Sequence, residues 1–274
     1  MPELPEVETI VRGLREKLIG RQIRSVQVRT AALLKSPLPS FRKQLTGAII
    51  RKIERRGKFI LIGLGKGATL VVHLRMTGQL LLIPEGQPAD KHTHLFFNLQ
   101  PRDLQLRYRD VRKFGFLVLL PPGQEWPQLS ELAPDPFELT ARDFYERLQK
   151  KKRAIKPLLL DQRFISGLGN IYVDESLFRS GLHPLTLSHT LNWEQARRLH
   201  RHIRQVLRQA IQAKGTTVSD YRGPEGIVGG FQQYLRVYDR TGKSCRVCRS
   251  PIQKTRVGGR GTHFCPGCQA PGKF

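Results

Sequence analysis

The four cysteines of the chain form two pairs of identical spacing near its end. They read Cys245-x-x-Cys248 and, after sixteen further residues, Cys265-x-x-Cys268. Two adjacent pairs of thiolates can converge on one tetrahedral zinc ion. The alternatives, two unrelated pairs or disulfides, are much less typical of this spacing. Since no catalytic carboxylate lies in obvious register with the cysteines, we expect one Zn²⁺ with a structural role.

The residues between the cysteine pairs predict a basic hairpin. From residue 236 to 274 the chain carries nine Lys or Arg and one acid. The run Thr255-Arg256-Val257-Gly258-Gly259-Arg260-Gly261-Thr262-His263 is typical of two strands joined by a glycine-rich turn, with Arg260 at the tip. A rigid hairpin that presents one arginine suits a groove or a phosphate. An ordinary solvated turn is the alternative.

The beginning of the chain, Met1-Pro2-Glu3-Leu4-Pro5-Glu6-Val7-Glu8, has two interpretations. The structural one is a helix start, where prolines and carboxylates are both favoured. The chemical one requires Met1 to be trimmed, which leaves Pro2 as a secondary amine, roughly a tenth of it neutral at pH 7. Such an amine can attack a sugar carbon and form an iminium ion, which drives elimination of the neighbouring phosphates. Glu3 lies beside this amine and could move protons.

The charge of the chain favours a polyanionic partner. Its 274 residues include 47 Lys and Arg against 22 Asp and Glu, a formal net charge of +25. Basic proteins commonly bind nucleic acid because each neutralised phosphate releases counterions. A ribosomal, heparin-binding or merely stable charged surface would have a similar composition. The acidic, proline-containing N-terminus is unlike a signal peptide, and apolar runs are too short to span a bilayer, so we expect a cytoplasmic protein.

Two architectures follow one another along the chain. Short segments rich in branched apolar residues predict strands of a sandwich or barrel-like sheet at Gln22–Arg29, Gly57–Leu64, Thr69–Leu74, Gln79–Ile83, His94–Asn98 and Phe114–Leu120. Residues 121–140 carry five prolines and mark a domain boundary. The period then changes and predicts helices over Ala141–Lys152, Ile155–Arg163, Ile171–Ser180 and Trp193–Lys214.

Several motifs, taken together and in this order, make the whole chain resemble the bacterial formamidopyrimidine-DNA glycosylases of the Fpg/Nei family, which remove 8-oxoguanine and ring-opened purines. The motifs are Pro2-Glu3-Leu4-Pro5-Glu6-Val7-Glu8-Thr9, Arg56-Gly57-Lys58-Phe59, His73-Leu74-Arg75-Met76-Thr77-Gly78, Gly169-Asn170-Ile171-Tyr172 and the four-cysteine finger with Gly259-Arg260-Gly261-Thr262-His263. The resemblance implies an α+β fold of two domains. An N-terminal β-sandwich with an N-terminal helix would span residues 1–133, a helical domain with a helix–two-turns–helix motif 134–235, and a zinc-finger β-hairpin 236–274.

The resemblance also implies the catalytic residues. Pro2 would be the nucleophile at C1′, followed by a Schiff base and β,δ-elimination, and Glu3 would be the acid and base of sugar-ring opening. Lys58 would contact the phosphate beside the lesion. The lesion pocket would be lined by Glu6, Glu175, Thr217, Ser219 and Tyr221, and residues 215–232, with five glycines between Gly215 and Gln232, would form a lid over the flipped base.

Contacts to damaged double-stranded DNA are implied for a further set: Met76, His94, Arg112, Phe114, Lys156, Asn170 and Arg260. Met76, Arg112 and Phe114 would fill the gap left by the flipped base. Judged alone, Met76 and Phe114 would be assigned to the sheet core. The chain departs from the family pattern at Val111 and Lys113, where the family typically has proline and arginine, but both departures spare the inserting residues. Asn170, at a helix N-terminus, suits a phosphate.

Two other functions remain open from the sequence. An endonuclease VIII-type glycosylase has the same nucleophile but prefers oxidised pyrimidines; Leu4, the inserting residues and the long lid favour the purine-directed alternative. A non-enzymatic zinc-finger DNA-binding module would explain the charge and the cysteines, but not Pro2 and Glu3. We expect the enzyme to be a monomer.

Overall fold

The computed structural model describes residues 2–216 and 229–270 and divides the chain into two compact units. The first contains the described part of residues 1–130 and 213–230, and the second that of 131–212 and 231–274. Among the described helices, none combines the length and the apolar character that a membrane crossing requires.

Two four-stranded antiparallel sheets and three α-helices build the first unit. In chain order its elements are α1 (Leu4–Leu18), β1 (Gln22–Val28), α2 (Leu38–Leu45), β2 (Ile50–Arg56), β3 (Phe59–Leu64), β4 (Thr69–His73), β5 (Gly78–Pro84), β6 (Thr93–Gln100), β7 (Leu104–Asp110), β8 (Phe116–Leu120) and α3 (Pro127–Ser130). The strand orders are β1-β6-β7-β5 and β2-β3-β4-β8. Apolar side chains from both sheets and from α1 and α2 share one core, which confirms the predicted β-sandwich with an N-terminal helix.

Two of these strands were not predicted from the sequence. Strand β2 reads Ile-Arg-Lys-Ile-Glu-Arg-Arg and buries only two isoleucines, so its apolar signal is weak. Strand β7 reads Leu-Gln-Leu-Arg-Tyr-Arg-Asp, and its Gln105 and Arg107 are buried although both are polar. Strand β7 forms because its main chain pairs with β5 and β6 on either side. Its amino-acid composition alone does not predict a strand.

The second unit is helical and ends in a two-stranded hairpin. Its elements are α4 (Ala141–Gln149), α5 (Ile155–Leu160), α6 (Asn170–Ser180), α7 (Trp193–Gln212), β9 (Gln253–Val257) and β10 (Arg260–Phe264). All four helices were predicted, although α4 and α5 each end three residues earlier than expected. The apolar face of α7 is buried, except that Ile211 is only half-buried.

Helix α1 is tied to strand β2 by charged side chains. Glu8 accepts hydrogen bonds from Arg12 Nε at 2.8 Å and from Arg55 Nε at 3.0 Å. Two turns beyond Glu8, Arg15 donates to the Ile53 carbonyl oxygen through two nitrogens, at 3.1 and 2.9 Å. Burial of the Glu8 carboxyl acts to raise its pKa, but the hydrogen bonds and charges of Arg12 and Arg55 outweigh it and hold the pKa of Glu8 below 4.5.

We expect Glu8→Gln to lower the free energy of unfolding by about 1 kcal/mol at pH 7, because the variant loses a partly buried, charge-assisted contact. Since the folded-state pKa lies below the ordinary value, this stabilisation is complete above pH 4.5 and is lost as the pH falls through the folded-state pKa. Urea unfolding of both proteins at several pH values measures it. The matched control is Glu16→Gln on the exposed face of the same helix. A difference that did not shrink in acid would contradict this assignment.

Candidate functional site

The first residues of the chain form the cap of helix α1. Pro2 is buried, Glu3 is the N-cap residue, and Glu6 Oε2 accepts a hydrogen bond from Glu3 N at 2.7 Å. This is one half of a capping box, so the structural interpretation of the N-terminal prolines and carboxylates is confirmed. The same arrangement fixes the main chain directly after Pro2, whose nitrogen becomes the chain terminus once Met1 is removed.

Glu6 links this cap to a distant part of the chain. Its second oxygen, Oε1, accepts a hydrogen bond from Thr216 N at 2.8 Å. The preceding residue, Gly215, has φ +85°, and a Cβ there would lie 2.9 Å from the Glu6 carboxylate, so only glycine fits. Thr216 also forms a bridge with Gly230, which closes the base of the predicted lid. The predicted pocket residues Thr217, Ser219 and Tyr221 lie outside the described residues.

Lys58 lies in the two-residue turn between β2 and β3 and not within a strand. The turn begins with Gly57 at φ +57°, and Arg55 Nη1 donates to the Gly57 carbonyl oxygen at 3.2 Å. Because Arg55 also bonds Glu8, the first turns of α1 are tied to the strand end that carries Lys58. Lys58 itself is buried, with 7% of its surface exposed.

His73 lies beside Lys58, and no role was predicted for this histidine from the sequence. Burial, together with the positive charges of Arg75 and Lys58, lowers the pKa of His73 to about 3. Its Nδ1 accepts a hydrogen bond from Arg75 N at 3.0 Å, so the neutral ring carries its proton on Nε2. The feature of the sequence from which a role could have been predicted is that His73 lies in the motif that contains Met76. Near neutral pH His73 therefore adds a hydrogen-bond donor beside Lys58 without adding charge.

Met76, Arg112 and Phe114, here called the exposed triad, lie together at one end of the sandwich. Arg112 Nη1 lies 3.3 Å from Met76 Sδ, and its guanidinium carbon lies 4.7 Å from the centre of the Phe114 ring. Met76 is 44% exposed and Phe114 53% exposed, so neither belongs to the sheet core. A cation stacked between a thioether and an aromatic ring offers both hydrogen-bond donors and a flat apolar surface.

His94, which was predicted to contact DNA, is hydrogen-bonded within the first unit. The residue is buried, and both ring nitrogens are engaged: Nδ1 lies 3.0 Å from Thr30 Oγ1 and Nε2 lies 2.9 Å from the carbonyl oxygen of Asp110. The ring therefore links Thr30 to Asp110, the last residue of β7, and its predicted DNA contact stays a prediction.

Lys156 was also predicted to lie at the DNA; this stays a prediction, and the side chain has a structural role within the second unit. Its side chain is fully buried, with Nζ 2.5 Å from Asp174 Oδ1 and 3.0 Å from the carbonyl oxygen of Gly261. Asp174 Oδ2 accepts from His263 N at 2.9 Å, and Asn170 Nδ2 donates to the same Gly261 oxygen at 2.9 Å. The buried ion pair therefore holds the β9–β10 hairpin against the beginning of α6.

The hairpin itself has the predicted form. Gly258 and Gly259 make the turn with φ +55° and +77°, and Arg260, paired with Val257, is exposed next to that turn. Asn170 is the first residue of α6, where main-chain N–H groups lack helical partners and the helix dipole is positive. Through Gly261, the unit brings Asn170 and the hairpin of Arg260 to the same place.

Glu175 was predicted to line a lesion pocket, which stays a prediction, and within the second unit its carboxylate bonds to the main chain. Its carboxylate is fully buried and accepts hydrogen bonds at 2.9 to 3.0 Å from the main-chain N–H groups of Arg236, Val237 and Tyr238. Burial raises the pKa of Glu175, and these hydrogen bonds offset the rise only in part. The carboxylate fixes the segment that leads into the zinc finger.

The four cysteines converge as their spacing predicted. The sulfur atoms of Cys245, Cys248, Cys265 and Cys268 all lie within 4.8 Å of one another. A tetrahedron with Zn–S distances of about 2.3 Å requires sulfurs about 3.8 Å apart. The Cys245–Cys268 and Cys248–Cys265 separations, 3.9 and 3.3 Å, fit such an ion. With all four positions taken by thiolates, the zinc is structural.

Three family models match successive parts of the chain. They are the formamidopyrimidine-DNA glycosylase N-terminal domain over residues 1–117, the formamidopyrimidine-DNA glycosylase H2TH domain over 132–222, and the zinc finger found in FPG and IleRS over 242–271. Together with the β-sandwich, the helical unit and the four-cysteine cluster, these matches define a zinc-finger DNA glycosylase.

Relatives that match over nearly their full length identify the family. A formamidopyrimidine-DNA glycosylase of Bacillus licheniformis is 47% identical over 98% of this chain and 99% of its own, and one of Latilactobacillus sakei is 44% identical over 98% of each. A Lactococcus lactis FPG mutant in complex with Fapy-dG DNA matches with a TM-score of 0.92 and 39% identity over 98% of this chain and all of its own. The chain belongs to the formamidopyrimidine-DNA glycosylase family, and it is a DNA-binding repair enzyme.

We expect Lys156→Met to lower the free energy of unfolding by about 3–5 kcal/mol, because it leaves the Asp174 carboxylate buried without its cation. The double variant Lys156→Met/Asp174→Asn removes both charges and should recover part of that loss. Denaturant unfolding of the zinc-loaded protein measures both values. If the single variant unfolded at the wild-type denaturant concentration, the buried ion pair would not hold the hairpin.

Proposed function

We propose that the enzyme is a bifunctional DNA glycosylase and AP lyase that excises oxidised purines, 8-oxoguanine and formamidopyrimidines, from duplex DNA. The observation that carries the proposal is Pro2, at the beginning of a helix whose capping fixes the main chain of Glu3. In keeping with this substrate class, related solved complexes hold Fapy-dG DNA and, for a protein named MutM, DNA with carbocyclic 8-oxo-G. We also propose that it acts as a monomer and in three parts, residues 1–133, 134–235 and 236–274.

The reaction uses the chain's own groups throughout. After Met1 is removed, the neutral nitrogen of Pro2 bonds to C1′ and the damaged base leaves with its bonding electron pair and a proton. Protonation of O4′ by Glu3 opens the sugar ring and leaves a Pro2–C1′ iminium ion. This cation accepts the electron pair freed when C2′ loses a proton, so the 3′ phosphate leaves, and a second elimination releases the 5′ phosphate. The Lys58 ammonium stabilises the phosphate charge.

The remaining residues bind and distort the DNA. The exposed triad enters the gap left by the flipped base, with the Arg112 guanidinium donating to the orphaned cytosine and Phe114 wedging the stack. Asn170 and Arg260 bind phosphates from the α6 N-terminus and the hairpin. Glu6 supports the pocket from the cap of α1. The zinc ion keeps the hairpin folded.

Borohydride should trap a covalent adduct between the wild-type enzyme and a duplex with 8-oxoguanine opposite cytosine, because reduction of the iminium ion makes the bond permanent. Pro2→Gly should lose most of this trapping, since the secondary amine is absent. The control is Pro5→Gly, a proline outside the proposed chemistry. Mass spectrometry should locate the linkage at residue 2.

An adduct at any other residue would overturn the nucleophile, and no adduct with wild type would favour a non-enzymatic zinc-finger module. Faster cleavage of a duplex with thymine glycol would instead identify a pyrimidine-directed enzyme.

We expect Arg260→Ala to weaken binding of damaged and undamaged duplexes to the same extent and to reduce the slope of log K against log salt by about one, because one phosphate contact is lost. Fluorescence anisotropy at several salt concentrations measures the slope. Arg142→Ala, which removes an exposed charge from α4, is the control. An unchanged slope in Arg260→Ala would argue against a phosphate contact.

A further inference from the structure

The exposed triad stands on two loops that meet at one buried carboxylate. Met76 lies in the loop between β4 and β5, and Arg112 and Phe114 lie in the loop between β7 and β8. Gly78, the first residue of β5, pairs with Asp110, the last residue of β7. Residues 111–114 are all exposed, whereas Asp110 has no exposed surface.

The Asp110 carboxylate receives hydrogen bonds from both loops. Oδ1 accepts from Thr77 Oγ1 at 2.5 Å and from Arg112 N at 3.2 Å, and Oδ2 accepts from Gly115 N at 2.8 Å. Thr77 Oγ1 in turn accepts from Arg112 N at 3.1 Å. One side chain therefore ties the residue after Met76 to both ends of the segment that carries Arg112 and Phe114.

The main chain around this carboxylate is closely packed and constrained. A Cβ at Gly115 would lie 1.8 Å from the Tyr108 hydroxyl oxygen and 2.8 Å from the His73 carbonyl oxygen. Lys113 takes φ +55°, a left-handed conformation that a non-glycine residue adopts only under constraint. His94 Nε2 lies 2.9 Å from the Asp110 carbonyl oxygen and supports the residue from behind.

We propose that Asp110 is the positioning residue of the exposed triad and thereby determines which base is accepted opposite the lesion. This inference rests on the proposed function, in which Arg112 donates to the orphaned base. Cytosine offers two acceptors, O2 and N3, and a guanidinium can donate to both only when its position and angle relative to the base are fixed. Asp110 fixes the position and angle of Arg112 by bonding its main chain. The side chain of Arg112 is left exposed to contact the DNA.

The test is Asp110→Asn. The side-chain amide nitrogen of this variant is a donor, and it would face N–H and O–H donors at a place where a carboxylate oxygen now accepts. The ratio of kcat/KM for 8-oxoguanine opposite cytosine to that opposite adenine should fall about tenfold, the value of one hydrogen bond to a charged group. Borohydride trapping on a single-stranded abasic oligonucleotide, which has no opposite base, should stay at the wild-type level. Asp103→Asn, an exposed carboxylate of the same unit that pairs with Arg21, is the control and should change neither.

If Asp110→Asn does not fold, two variants of Thr77 test the same inference. Thr77→Val removes the hydroxyl between the two loops and should lower the ratio, and Thr77→Ser, which keeps the hydroxyl, should restore it. An unchanged ratio in Asp110→Asn or in Thr77→Val would overturn the inference. Equal loss of trapping and of excision would also overturn it, since that result indicates general destabilisation. Failure of the wild-type enzyme to trap would refute the proposed function instead.

Discussion

Buried carboxylates that accept hydrogen bonds from main-chain N–H groups hold the segments on which the proposed chemistry depends. Among the described residues, examples are Glu6 for the N-terminal cap and the base of the lid, Asp110 for the exposed triad, Asp174 for the hairpin, and Glu175 for the segment before the zinc finger. A bond to the main chain fixes the path of a loop whatever its side chains are. The side chains are then free to face a ligand. Because these bonds are charge-assisted and shielded from water, each is stronger than a neutral one at the surface.

This arrangement also suits the charge of the protein. The chain has a formal net charge of +25, and its surface cations must remain available to bind phosphates. Acids placed inside the units and bonded to N–H groups support the fold without neutralising those cations. Lys156 differs from the surface cations, since its ammonium is buried and pairs with Asp174 within the fold. His73 follows the same logic, because burial and neighbouring cations keep its ring neutral beside Lys58.

The features that could be predicted from the sequence are those with a short-range signature. The cysteine spacing, the glycine turn before Arg260 and the helical period of α7 each arise from local geometry, and each was confirmed. The internal partners of polar side chains could not be predicted. His94, Lys156 and Glu175, which were predicted to lie at the DNA or the lesion, are buried and hydrogen-bonded within the protein. These partners lie between 16 and 105 positions away, so no local pattern in the sequence reveals them.

The sequence by itself determined the class of protein, because the order of the motifs and the spacing of the metal ligands can be identified without knowledge of the fold. It also determined the two architectures, since strand and helix periods differ. Only the tertiary structure decided which polar groups face outward, and that Met76, Arg112 and Phe114 share one exposed place around Asp110. The physical reason is that burial and hydrogen bonding depend on contacts between segments far apart in the chain, and these exist only after the sheets and helices have packed.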